Sequence, residues 1–63
     1  MALLKGATQQ LRAAGIAHVE VHRHGRGYAL YDPRHKVQQN NVYGSAAEVV
    51  AAALAGERPR RVR

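Results

Sequence analysis

Sixty-three residues make one domain at most, near the lower size limit for folding without staples, and with no cysteine neither a disulfide nor a thiolate metal site can help. Ten Lys and Arg against four Asp and Glu give a net charge of +6, which points to an anionic partner: nucleic acid, an acidic protein surface or a membrane face. No stretch approaches a membrane span, and "MALLKGATQQ" has no apolar run of the kind a secretory signal needs, so the expected location is the cytoplasm.

Residues 2–14 carry Leu4, Ala7, Leu11 and Ala14 at the spacing of one helix face, which predicts a first helix. Gly15 is placed to end it in a left-handed conformation, with Ile16 as the hydrophobic contact of the stop motif. Residues 17–23 then alternate. Ala17, Val19, Val21 and Arg23 share one side; His18, Glu20, His22 and His24 share the other, as in a strand with one buried face. In "HGRG", Gly25 and Gly27 offer the positive φ that hairpin turns use.

"YALYD", residues 28–32, reads as the return strand, with Tyr28 and Leu30 toward the core and Ala29 and Tyr31 on the histidine side. "DPRHK" is a second turn, led by Asp32 with Pro33 at the position that suits its fixed φ. "VQQNNVY", residues 37–43, is the expected third strand; its two asparagines and two glutamines are poor strand formers, and a loop is the alternative. In "GSAAEVVAAALAGERP", Ser45 and Glu48 form a capping box, and Ala46, Val49, Val50, Ala53 and Leu54 an apolar face. Gly56 ends this second helix, 46–55, and Pro59 prevents its continuation.

The expected fold is a small single α+β domain over residues 1–56: a helix, an antiparallel β-meander of three strands (at least two), and a helix, with the helices on one sheet face. Residues 57–63 form a basic tail; without them six basic and three acidic residues leave a net charge of +3. The expected core is Leu4, Leu11, Ile16, Val19, Val21, Leu30, Val42, Val49, Val50 and Leu54, a lean set that a homodimer would supplement.

His18, Glu20, His22 and His24 share a strand face, where alternate residues lie about 6.5–7 Å apart and two side chains can converge on a zinc ion. A third ligand from the same strand is awkward, and no zinc spacing is matched, so no metal and no cofactor is expected. Ser45, Thr8 and the tyrosines are available nucleophiles, but no phosphate loop, paired-carboxylate site or nucleophile motif occurs, and the expectation is a protein that is not an enzyme.

Nucleic acid is the stronger chemical reading. The sheet face would offer His18, His22, His24 and Tyr31 to bases, with Arg23 and Arg26 at one turn and Arg34, His35 and Lys36 at the other. Arg58, Arg60, Arg61 and Arg63 of the tail would add phosphate contacts without sequence information. The element order is also that of small DNA-binding domains whose three-stranded sheet enters the major groove and of double-stranded-RNA-binding domains, a likeness of topology alone. The expected function is a small basic nucleic-acid-binding, DNA above all, accessory or regulatory protein. The alternative is a protein-binding inhibitor or regulator, of the mobile-element or anti-defence type, that caps an acidic partner surface.

Overall fold

In the computed structural model, which describes residues 2–39 and 41–59, the alternating segment forms a hairpin. Strands Glu20–His24 (β2) and Gly27–Asp32 (β3) pair antiparallel, with Val21 opposite Leu30 and His22 opposite Ala29. Gly25 sits at φ +59 in the turn, as its lack of a Cβ permits. Gly27 differs from expectation. It lies inside β3, and a Cβ there would overlap Val42 Cγ1 and come within 2.7 Å of the Tyr43 carbonyl oxygen. Glycine is required at that position because another stretch of backbone crosses it.

The first helix is shorter than its periodicity predicts. Helix α1 spans Lys5–Ala13, while Ala2–Leu3 (β1) pair with the outer edge of β2, Ala2 opposite Arg23 and Leu3 opposite His22. Leu4 begins the helix without a side-chain cap, and its N–H donates to the Val21 carbonyl at 2.8 Å. One turn later the buried Thr8 hydroxyl accepts the Val21 N–H at 3.0 Å. The edge of β2 is therefore completed first by strand, then by a helix side chain. The helix ends as expected. Gly15 is at φ +87, the Ile16 N–H reaches the Leu11 carbonyl at 2.8 Å, and the Gly15 N–H that of Arg12 at 3.0 Å, the paired bonds of a Schellman motif.

Of the expected third strand, 37–43, only Val37–Gln38 (β4) is regular, paired with Asp32 and Tyr31. The Gln39 N–H still donates to Leu30, but the next pairing is Tyr43 with Tyr28, through bonds of 2.9 and 2.8 Å. One strand advances from Leu30 to Tyr28 while the other advances from Gln39 to Tyr43, so the second strand takes up two extra residues before the pairing resumes. The sheet is four-stranded, in the order β1-β2-β3-β4, with every neighbouring pair antiparallel.

Helix α2, Ala46–Leu54, carries the complete capping box. The Ser45 hydroxyl accepts the Glu48 N–H at 3.2 Å, and the Glu48 carboxylate accepts the Ser45 N–H at 3.0 Å. A second Schellman motif closes it, with Gly56 at φ +105 and the Glu57 N–H on the Ala52 carbonyl. α1 packs on β2, α2 on β3, and the helices on each other. The core between them is Leu11, Val19, Val21, Leu30, Val49, Val50 and Ala53, with Leu4, Ile16, Tyr28 and Tyr43 at its margin. Two expected core residues fall outside it. Val42 is 51% exposed because it rides on the bulge, and Leu54 is 58% exposed because Ala53 takes the inward position of the last turn. The α+β architecture, with both helices on one sheet face, is as the sequence predicts.

Thr8→Val keeps the shape of the side chain but leaves the Val21 N–H buried without a partner. It is expected to cost about 1–3 kcal/mol in chemical denaturation, with most of that loss absent in Thr8→Ser. A valine variant as stable as the parent would exclude the role. Ser45→Ala, which removes one arm of the capping box, is expected to cost about 0.5–2 kcal/mol by the same measurement.

Candidate nucleic-acid interface

The face of the sheet away from the helices carries the residues of the second parity: Leu3, Glu20, His22, His24, Ala29, Tyr31 and Gln38. It is not the open, wet surface the alternation suggests. The His22 side chain is 12% exposed. Its Nε2 lies 2.8 Å from Glu20 Oε1, and its ring stacks on Tyr31 with centroids 4.6 Å apart and planes 27° from parallel. Ala29, directly across from His22, is fully buried although no helix covers this side. The other imidazole nitrogen, Nδ1, is buried and has no hydrogen-bond partner. His22 and Tyr31, both expected to read bases, are thus engaged with each other. The cross-strand diagonal between them was legible in the pairing of two alternating strands; the stack itself was not.

Exposed basic and imidazole side chains gather at the two ends of the meander. Arg23, His24 and Arg26 lie at the β2–β3 turn, Arg23 keeping the parity of the valines and His24 that of His22. At the other end, Arg34, His35 and Lys36 are exposed on the β3–β4 turn. That turn is held by Asp32: its Oδ1 accepts the N–H groups of Arg34 at 2.9 Å and His35 at 3.3 Å, and its Oδ2 lies 2.9 Å from His35 Nδ1. Lys36 closes it at φ +54, an uncommon left-handed conformation for a lysine. A shallow groove of about 260 Å³ runs between this turn and the chain's exit, lined by Asp32, His35, Val37 and Pro59.

Arg58 was expected to contact phosphate with the rest of the tail. Instead its guanidinium donates to the Ala53 carbonyl at 2.8 Å and the Glu57 carbonyl at 2.6 Å, capping the end of α2. Arg60, Arg61 and Arg63 lie outside the described residues. Two cations not singled out from the sequence, Lys5 and Arg12, are exposed on α1; their seven-residue spacing sets them on one side of the helix, a signal that was available.

The side-chain carboxylates of Glu20, Asp32, Glu48 and Glu57 are all engaged within the protein. Glu20 meets His22, Asp32 organises its turn, and Glu48 accepts the N–H groups of Gly44 and Ser45. Glu57 accepts from Gln39 Nε2 at 3.3 Å, a buried amide whose Oε1 has no partner. Among the described residues no ion pair joins a lysine or arginine to a carboxylate. Among these residues the exposed lysines and arginines thus have no carboxylate partner. Among the same residues, no group of three or more His, Asp or Glu side chains is arranged to hold a metal ion, and no helix is long and apolar enough to cross a membrane.

The hydrogen bond from His35, with those of the two turn amides, holds the Asp32 carboxyl below the ordinary aspartate value against a smaller opposing effect of desolvation. A depressed value means the unfolded chain binds the proton first. The stabilisation is complete above about pH 3.9 and is lost as pH falls through the folded-state value. Asp32→Asn is expected to flatten the acid limb of the stability curve below that pH; thermal melts with the same acid-side loss in both proteins would remove Asp32 from this role.

No family model, curated protein or solved structure matches this chain. The functional reading of its surface rests on its own residues and their geometry.

Proposed function

We propose that this protein is a small nucleic-acid-binding accessory or regulatory protein, without enzymatic activity, that grips the phosphate backbone with its turn cations and tail. The observation that carries the reading is the division of charge. Every side-chain carboxylate is engaged internally, while Lys5, Arg12, Arg23, Arg26, Arg34 and Lys36 are exposed without a carboxylate partner among the described residues. Such cations release condensed counterions when they meet a polyanion, and that release drives sequence-independent binding. Arg60, Arg61 and Arg63 follow in sequence from Pro59, which lies beside the Arg34–Lys36 turn. DNA is the proposed ligand and the cytoplasm the proposed location, the latter supported by the absence of cysteine.

One observation favours a second reading. Leu3 and Val42 are exposed apolar residues, Leu3 on the sheet face free of helices and Val42 against the Gly27 position of that face. With arginines at both ends, this surface suits an acidic protein with an apolar centre. Association of two copies, the other expected partner, is read directly by light scattering.

Titration with labelled DNA across a salt series is expected to give a linear log–log plot with a slope of about −0.9 per phosphate neutralised. Deleting residues 60–63, which leaves the Arg58 cap in place, is expected to flatten the slope and weaken binding to all sequences alike. No binding at low salt would reject this reading in favour of the protein partner.

A further inference from the structure

We infer that the nucleic acid is double-helical and that the protein bridges phosphates of both strands from the two ends of its β-meander, an inference that rests on the cationic surface just described. The cations are not spread along a groove. One set, Arg23 near the end of β2 and Arg26 in the turn that follows it, lies at one end of β3 and the other, Arg34 and Lys36 of the β3–β4 turn, at the other. Six residues of β3 set the ends about 16 Å apart at the usual rise of about 3.3 Å per residue. The major groove of B-form DNA is about 12 Å wide between its phosphate rims, so long side chains at the ends of β3 fall within reach of both strands.

The spacing is also fixed. Val21 and Leu30, paired at the centre of the hairpin, are fully buried, and neither strand can slip without moving its core residue to the other face. A rigid pair of cation clusters suits a partner whose phosphates are themselves held at a set separation. A single strand has no such separation.

The aromatic residues point the same way. Sequence-tolerant binding of single strands depends on bases stacking on aromatic side chains. This chain has three tyrosines and no phenylalanine or tryptophan. Tyr28 and Tyr43 pack against the core, and Tyr31 is stacked on His22. With the tyrosines engaged and only exposed imidazoles such as His24 left to stack, a single strand is held chiefly by counterion release, at about 0.7 per phosphate against about 0.9 for a duplex.

The test is fluorescence anisotropy of the full chain with a DNA duplex two helical turns long, the matching RNA duplex, and one single strand of each, compared at one ionic strength and then across a salt series. The DNA duplex is expected to bind about tenfold or more tighter than the single strands, and a preference for the RNA duplex, whose major groove is deep and narrow, would overturn bridging across a B-form groove. Arg23→Ala/Arg26→Ala and Arg34→Ala/Lys36→Ala, each confirmed as folded by circular dichroism, are each expected to reduce the duplex salt slope by about 1.8. Single strands that bind as tightly as the duplexes would overturn the duplex assignment while leaving nucleic-acid binding intact. A pair of substitutions at one end that leaves the duplex slope unchanged would overturn the bridging. Absence of binding to all four probes at low salt would overturn both this inference and the reading beneath it.

Discussion

The backbone of Val21 is the point on which this small structure turns. Its side chain is fully buried opposite Leu30, its carbonyl accepts the Leu4 N–H that starts α1, and its N–H donates to the Thr8 hydroxyl. A buried peptide group left without partners costs a large share of a small domain's stability. The chain meets the requirement with a two-residue strand and one helix side chain, and in doing so docks the helix across the sheet. Leu11 and Val49 then close over Val21 and Leu30 from the two helices. A core of this size has little redundancy, so the polar threonine inside it holds as much of the architecture as its leucines do.

The same economy governs the other face of the sheet. With no layer to cover it, His22 and Tyr31 cover it themselves, the imidazole held from one side by Glu20 and stacked on the phenol ring from the other. Ala29 is buried across the strand from His22 as a result. An aromatic pair of this kind adds to the hydrophobic burial of the sheet through its geometry. The histidine-rich alternation of β2 thus serves folding at His22 and meets solvent at His24.

Local engagement of the acids and exposure of the bases have one origin. A carboxylate accepts hydrogen bonds from backbone N–H groups, and turns and helix starts are where unpaired N–H groups occur. Asp32 and Glu48 stand at such places and accept from the N–H groups there. Arginine and lysine carry only donors and find acceptors mainly at helix ends, where Arg58 caps α2. Cations elsewhere stay on the surface, and a chain with ten of them and four acids acquires a positive exterior as a consequence of how its turns are built.

What the sequence determined by itself is what depends on residues within about one helical turn of each other. The capping box of Ser45 and Glu48, the glycine stops at Gly15 and Gly56, the Asp32 turn and the two-residue alternation of β2 and β3 all follow from local hydrogen-bond geometry and burial period, and together they specify the α+β order. The tertiary structure decided whatever depended on a partner far along the chain. Ala2 and Leu3 leave the helix because β2 offers a free edge. The ladder is interrupted after Gln39 and resumes where Tyr43 pairs with Tyr28, and Gly27 is needed where Val42 and Tyr43 cross it. Ala53 displaces Leu54 from the core, His22 finds Tyr31, and Arg58 finds the end of α2. Periodicity assigns a residue to a face, but only the assembled layers determine whether that face is covered, and by what.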